Sequence, residues 1–273
     1  MKTYDKEEII KIYFSQYPLY LRLGENIKEA TGSFLAEKGI ETVSINYRVK
    51  KLEQVFQKIE RKKYTEPFEQ MVDICGVRVI CYFQKDIEKI EEIIKKEFEV
   101  IEKNNKSDDF SSHKFGYRSK HLVLKIKKDW EKTPNYRNLG DLKFELQIRT
   151  ALMHAWAEIE HKLAYKRTEQ IPKELRRKFF RISALLEEAD EQFQEINDKV
   201  NKKREDMISI LKKRQLTNKK ISLDLNSLKT LLDFYFPEKV KDNRNTRDFF
   251  NEISKSEITI KELLELYKNK MKK

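Results

Sequence analysis

The chain has 273 residues but only 6 glycines, 5 prolines and 2 cysteines. Glycine and proline mark turns and helix ends, so their scarcity predicts long helices and few tight turns. The two cysteines, Cys75 and Cys81, lie six residues apart in one predicted strand, a spacing that is not typical of a zinc site or a disulfide-rich fold. They are predicted to be buried thiols in a reducing compartment.

Long hydrophobic runs are also missing from the chain. No run of apolar residues approaches the length that a membrane-spanning helix needs. Residues 1–10 carry acidic side chains and lack the apolar core of a signal peptide. The sequence therefore predicts a cytoplasmic protein without a membrane partner.

Positive charge is in excess and is unevenly distributed. The 58 Lys and Arg residues against 46 Asp and Glu residues give a net charge of +12. Residues 201–273 hold 19 Lys and Arg and 11 Asp and Glu, so this segment supplies +8 of the +12. Such a balance favours anionic partners, for example nucleotides or RNA. A lysine-rich composition with no nucleic-acid role is an equal alternative.

Hydrophobic periodicity predicts an α+β domain of about five strands flanked by helices. Strands are expected at 43–50, 76–83, around Val100, at 120–126 and at 141–149. Helices are expected at 6–37 with an interruption near Pro18, at 52–62, at 86–98 and from Ala151 onward.

A heptad pattern follows this domain. Its apolar positions step by four and three residues in turn: Leu175, Phe179, Ile182, Leu186, Ala189, Phe193, Ile196 and Val200. This spacing predicts one long helix whose apolar seam either pairs with another subunit or docks on the chain's own domain. The chain therefore divides into a helical segment 1–42, the α+β domain 43–170, a long helix with a basic hinge or solvated end 171–220, and a small basic helical region 221–273.

Two predicted strands carry a polar face with residue types suited to phosphate chemistry. In Leu142–Thr150 the apolar residues alternate with Lys143, Glu145, Gln147 and Arg149, and the strand at 43–50 carries Arg48 and Lys50 on one side. Asp73 precedes a strand in which Arg78 is the only charged residue. An Asp and a Glu near Lys and Arg can hold a hydrated Mg²⁺ and a polyphosphate, although a salt-bridged sheet is the alternative.

The segment "FGYRSKH" offers a second candidate binding element. Gly116 precedes Tyr117, and Ser119 and His121 begin the next strand. An exposed tyrosine gives a flat face on which a base can stack, whereas an ordinary glycine turn with a core tyrosine is the simpler interpretation. His154 and His161, seven residues apart on one helix, are more typical of helix packing than of a zinc pair.

Four segments occur together in the order of a known family. "YRVKKLEQVFQKIERK", "MVDICGVRVICYF", "FGYRSKHLVLKI" and "FELQIRTALMHAWAEIEHKLAYK" resemble the RelA/SpoT alarmone synthetase domain over about residues 43–166. The resemblance implies a nucleotidyltransferase-like mixed sheet flanked by helices. It also implies a pyrophosphokinase that transfers the β,γ-pyrophosphate of ATP to the 3′-hydroxyl of GDP or GTP, releasing AMP and giving (p)ppGpp.

The resemblance assigns five residues to the ATP-binding side of the site. Arg48 and Arg78 are implied to enclose adenine between them. Lys50 and Lys58 are implied to bind the ATP phosphates, and Asp73 is implied to bind Mg²⁺, the expected cofactor.

The resemblance assigns five further residues to the side that binds the acceptor nucleotide. Tyr117 is the implied stacking platform for the acceptor base, with Ser119 and His121 on the acceptor side. Glu145 is the implied carboxylate that binds metal or activates the 3′-hydroxyl, and Gln147 lines the same acceptor face.

The resemblance leaves alternatives open. Gln54 stands where the family often has serine, and the absence of a hydrolase module predicts that the chain does not degrade its product. A toxic small synthetase that pyrophosphorylates the 3′ CCA end of tRNA or makes (p)ppApp is one alternative. A non-catalytic nucleotide- or RNA-binding regulator is another. The expected partners are ATP with GDP or GTP, RNA at the basic C-terminal region, an antitoxin, and further copies of the chain in a homo-oligomer.

Overall fold

A computed structural model describes residues 5–102, 119–164, 172–212, 223–237 and 242–256, together with residues 258, 262, 263 and 265. Its strands are β1 Thr42–Val49, β2 Cys75–Cys81, β3 Glu99–Glu102, β4 Lys120–Lys125 and β5 Phe144–Thr150. Its helices are α1 Lys6–Glu37, α2 Leu52–Lys62, α3 Pro67–Gln70, α4 Gln84–Glu97, α5 Ala151–Ala164, α6 Lys173–Lys212, α7 Leu225–Tyr235 and α8 Asn243–Ser254. The predicted α+β class and the five strands are confirmed.

The five strands form one mixed sheet in the order β1-β2-β5-β4-β3. Strands β2 and β5 run parallel at its centre, and the other neighbours pair antiparallel. Residues Cys75, Val77 and Val79 of β2 point into the hydrophobic core together with their β5 neighbours. Because side chains alternate along a strand, the opposite face of both central strands is left for polar residues.

Helix α1 covers the core face of the sheet and contacts β1 and β2. The predicted interruption near Pro18 is wrong, since α1 runs without a break from Lys6 to Glu37 with Pro18 inside it. Proline removes one helical hydrogen bond. The buried side chains of Tyr13, Tyr20 and Leu23 lie on both sides of Pro18 and pack into the core, and this packing compensates for the lost bond.

Both cysteines are buried and free, as predicted. Burial raises the pKa of the Cys75 thiol and of the Cys81 thiol to about 12, so both stay protonated at neutral pH. In the part of the chain that the structure describes, no helix combines the length and the apolar content that crossing a membrane requires.

The chain divides into two units, Met1–Gln194 and Glu195–Lys273, and the predicted domain boundaries stay predictions. Within the first unit, Phe179 of the heptad seam stacks on Trp156 of α5 at a ring-centroid distance of 4.2 Å. Its neighbours Leu175 and Ile182 are exposed. Within the second unit, α6 and α7 share a small apolar cluster of Met207, Leu211 and Leu231.

Candidate active site

The strand register places the predicted polar residues side by side on one face of the sheet. Asn46, Arg78, Gln147 and His121 are partners across β1, β2, β5 and β4. One row along, Arg48 lies opposite Gly76, and Gly76 lies opposite Glu145. Since partnered residues project from the same face, residues from four separate sequence segments share one surface.

The first group of contacts is centred on Asp73, just before β2. The Asp73 carboxylate oxygen Oδ2 lies 2.7 Å from Nζ of Lys58 and 3.4 Å from Nζ of Lys50. The Lys50 amide donates to the Ile74 carbonyl at 2.8 Å, which extends the β1–β2 pairing towards Asp73. Helix α2 carries Lys58, and the Gln54 side chain at its start accepts the Lys51 amide at 3.2 Å.

Burial lowers the pKa of Lys50, and the positive charges of Lys58 and Arg48 lower it further, while Asp73 acts in the opposite direction. The amino groups of Lys50 and Lys58 both lie beside the single Asp73 carboxylate. Their combined charge is suited to a polyanion such as a triphosphate.

The second group is a continuous chain of hydrogen bonds along β4 and β5. The Ser119 hydroxyl lies 2.6 Å from Nε2 of His121, and Nδ1 of His121 lies 2.8 Å from Oε1 of Glu145. The other Glu145 oxygen, Oε2, accepts the Gln147 amide at 2.8 Å. The Arg149 guanidinium in turn donates to Oε1 of Gln147.

This series of hydrogen bonds fixes the orientation of each side chain in it. Arginine is only a donor, and a carboxylate is only an acceptor, so the Gln147 amide has one satisfactory orientation between Arg149 and Glu145. Both Glu145 oxygens face donors from the protein, while the Glu145 side chain is only 13% exposed. The polar face of β5 is therefore an organised site and not an ordinary solvated sheet surface.

A third group joins β2 to α5. The Arg78 guanidinium donates to Oε1 of Glu158 at 2.9 Å, and Nδ1 of His154 lies 3.7 Å from the same oxygen. Burial and the charge of Arg78 lower the pKa of His154, so it is neutral at pH 7. In the described part of the chain, no three His, Cys, Asp or Glu side chains lie together as a metal site would require.

Most of the residues proposed from the sequence are brought onto this surface. The structure groups Lys50, Lys58 and Asp73 at one end of β2, and it groups Ser119, His121, Glu145 and Gln147 on β4 and β5. Arg48 and Arg78 project from the same face between them. Tyr117 lies outside the described residues.

Two residues were not assigned a role from the sequence. Arg149 ends the hydrogen-bond chain, and its place in the alternating "FELQIRT" pattern was a usable signal. Burial, followed by the nearby charge of Arg78, lowers its pKa to about 10, so it remains a cation at neutral pH. Glu158 is 80 residues from Arg78 in the sequence, and only its four-residue spacing from His154 on a helix pointed to it.

The chain is similar in sequence to known proteins over the strands that carry this surface. The family model described as "Region found in RelA / SpoT proteins" matches residues 47–170. The GTP pyrophosphokinase YjbM of Bacillus subtilis (strain 168) is 35% identical over 159 residues, which are 56% of this chain and 71% of that protein.

Solved structures are similar over most of the chain. The small alarmone synthetase 1 from Bacillus subtilis matches with a TM-score of 0.57 and 31% identity, over 70% of this chain and 98% of that one. The same synthetase bound to its product pppGpp matches with a TM-score of 0.53 and 29% identity, over 66% and 93% of the two chains. Bound to AMPCPP, it matches with a TM-score of 0.54 and 29% identity, over 70% and 98%.

Proposed function

This chain belongs to the RelA/SpoT family, and from that membership we propose that it is a GTP pyrophosphokinase that makes (p)ppGpp. It transfers the β,γ-pyrophosphate of ATP to the 3′-hydroxyl of GDP or GTP and releases AMP. The observation that carries this proposal is the Glu145 carboxylate of β5, which is held by His121 of β4 and Gln147 of β5. Strand β5 lies beside β2, the strand that follows Asp73. A relative has been solved with pppGpp and with AMPCPP, ligands that match the product and the donor of this reaction.

ATP is proposed to bind along β1 and β2. Arg48 and Arg78 project from the same face of these two strands, and guanidinium planes stack on a purine with about 0.5–2 kcal/mol per contact. Lys50 and Lys58 then bind the triphosphate. Because Glu158 holds the Arg78 guanidinium by one edge, the flat faces of that group stay available for adenine.

Mg²⁺ is the proposed cofactor, with Asp73 as its protein ligand. The Asp73 oxygen Oδ1 is buried and has no hydrogen-bond partner, so the site retains an acceptor suited to a hard cation. Mg²⁺ typically keeps waters and takes phosphate oxygens as further ligands, which fits a site with few carboxylates. Bound there, the metal would neutralise phosphate charge.

The acceptor nucleotide is proposed to bind over β4 and β5. Glu145 takes the proton of the 3′-hydroxyl while the 3′-oxygen forms a bond to the β-phosphorus of ATP and the bond from that phosphorus to the AMP oxygen breaks. His121 and Gln147 hold the Glu145 carboxylate in place. Tyr117 is proposed to stack on the acceptor base, and Ser119 orients His121.

A homo-oligomer is proposed through the heptad seam of α6. Within the first unit, the side chains of Leu175, Ile182 and Phe193 are 48%, 50% and 52% exposed. Three large apolar side chains at heptad spacing favour a partner of the same helical type. Light scattering of the full chain tests this, and a monomer at micromolar concentrations contradicts it. The RNA contact, the antitoxin and the cytoplasmic location stay predictions.

The test of the proposed function is transfer of label from [γ-³²P]ATP with Mg²⁺. GDP, GTP, ADP and bulk tRNA are offered in parallel, and Glu145→Gln is the control. Label on GDP or GTP supports the proposal. Label on ADP or tRNA alone shows that the enzyme uses one of the alternative acceptors. Nucleotide binding without AMP release supports a non-catalytic regulator.

A further inference from the structure

Gly76 occupies a position in the central strand β2 where neither the backbone nor the packing requires glycine. Among the glycines that the structure describes, only Gly39 has a positive φ, so the backbone conformation at Gly76 does not itself require glycine. A Cβ atom built on Gly76 meets only the Arg48 carbonyl oxygen, at an ordinary contact distance of 3.9 Å. A glycine inside a strand weakens it and often marks a place where a ligand approaches the backbone closely.

The neighbours of Gly76 belong to the two proposed binding areas. Arg48 lies opposite it in β1, and Glu145 lies opposite it in β5, on the same face of the sheet. Adjacent strands are about 4.8 Å apart, so roughly 10 Å separates the Arg48 and Glu145 backbones. Along β2, Arg78 is the next residue on that face, and Asp73 stands three residues before Gly76. Gly76 thus leaves a gap without a side chain between the ATP-side cations and the Glu145 carboxylate.

We propose that the Gly76 backbone is the floor of the reaction centre, on which the diphosphate portion of the nucleoside triphosphate lies when it is transferred. This inference rests on the proposed function and adds a binding residue to it. The β-phosphorus must come within bonding distance of a 3′-oxygen activated by Glu145, while the γ-phosphate stays near Lys50 and Lys58. The route between these groups crosses β2 at Gly76, and a side chain there would occupy the space of the phosphates.

Two substitutions of increasing size test whether the diphosphate lies on the Gly76 backbone. Gly76→Ala adds one methyl group, and Gly76→Val adds a branched side chain that strands favour. Ser44→Val is the matched control, because Ser44 lies opposite Ile80, on the same face but about 13 Å along the strand from Gly76. Thermal unfolding, the dissociation constant for AMPCPP, and kcat and KM for ATP and GDP are measured for each variant.

The expected result is a graded loss of function in folded proteins. Gly76→Val keeps or raises the melting temperature, weakens AMPCPP binding at least 10-fold and lowers kcat/KM for ATP at least 100-fold. Gly76→Ala shows a several-fold loss in the same direction, and Ser44→Val stays within 2-fold of wild type.

Two outcomes overturn the proposal. If Gly76→Val and Gly76→Ala are folded and bind AMPCPP as the wild type does, the diphosphate does not lie on Gly76. If Gly76→Val unfolds, the fold itself needs glycine at this position, and the open space above Gly76 does not mark a phosphate site. Failure of the proposed function is seen separately, as a wild-type protein that labels no acceptor, and the AMPCPP measurement does not depend on turnover.

Discussion

The Nδ1 atom of His121 lies 2.8 Å from Oε1 of Glu145, and the opposite ring nitrogen lies 2.6 Å from the Ser119 hydroxyl. An ionised Glu145 only accepts, so Nδ1 carries the proton in this pair. In the neutral ring Nε2 then accepts the Ser119 hydroxyl. These two contacts hold the imidazole in one orientation, and Glu145 is directed by a partner on each oxygen. A general base needs such positioning before its proton affinity matters.

Replacing Glu145 by glutamine is expected to abolish most of the transfer. The substitution keeps the size of the side chain but removes the proton acceptor, and it places an amide next to the Gln147 amide and His121. The expected loss in kcat is about 10²–10⁴-fold, the usual contribution of a general base. AMPCPP binding is expected to stay within about 3-fold, because the proposed ATP contacts lie on β1, β2 and α2. A Glu145→Gln enzyme with wild-type kcat would remove Glu145 from the reaction.

The lowered pKa of Lys50 predicts a loss of ATP binding on the alkaline side. Below its pKa the ammonium is charged and attracts phosphate, and above it the attraction is lost. Because burial lowers this pKa from its ordinary value of 10.5, the loss begins at a lower pH than for an exposed lysine. The measurement is kcat/KM for ATP against pH at saturating GDP, which reports groups of the GDP-bound enzyme before ATP binds.

Lys50→Arg is the matched variant for this pH profile. A guanidinium stays charged to higher pH than an ammonium, so the alkaline limb is expected to move upward in the variant. Titration of GDP and of other residues is common to both proteins and cancels in the comparison. Superimposable alkaline limbs would show that Lys50 does not titrate in this range or does not bind the phosphates.

The Arg78–Glu158 ion pair predicts a modest effect on ATP affinity. Its side chains are 31% and 58% exposed, and exposed pairs contribute about 0.2–1 kcal/mol. Glu158→Gln is therefore expected to raise KM for ATP by about 2–5-fold, because Arg78 is held less firmly in the stacking orientation. Glu88→Gln, on the exposed surface of α4, removes the same charge elsewhere and is expected to change nothing. A fall in KM for Glu158→Gln would show that Glu158 competes with ATP for Arg78.

The alternating pattern of Leu142–Thr150 predicted the two faces of β5 well. Phe144, Leu146 and Ile148 are fully buried, and Glu145 and Gln147 share the polar face with Arg78 and His121. Strand β5 begins at Phe144, two residues later than the pattern. Leu142 is instead held in a turn by donation of its amide to the Leu139 carbonyl at 3.1 Å. Periodicity does not distinguish an extended residue from a turn residue with a buried side chain.

Relations between strands could not be predicted from periodicity alone. A period of two shows which residues share a face, but it does not show that β2 and β5 are parallel neighbours or that Gly76 lies opposite Glu145. The Arg78–Glu158 pair depends on the packing of α5 against β2, which no local pattern encodes. The continuous helix through Pro18 has the same origin, since tertiary packing outweighed the local preference of proline.

The hydrogen bond between Thr150 and Asp190 predicts a purely structural effect at the end of β5. Thr150 is fully buried and donates its hydroxyl to the Asp190 carboxylate, which is 2% exposed, and the same hydroxyl accepts the Met153 amide at 3.1 Å. It therefore caps α5 and joins β5 to α6. Thr150→Val keeps the shape but removes both bonds, and a buried carboxylate loses a donor. The expected decrease in the free energy of unfolding is about 2–3 kcal/mol, measured by urea denaturation at pH 7.

Thr150→Ser is the control variant, since it keeps the hydroxyl and is expected to lose less than about 1 kcal/mol of stability. Equal stability of the valine and serine variants would mean that the hydroxyl contributes nothing, and that apolar packing alone holds α5 and α6 against the strand that carries Glu145.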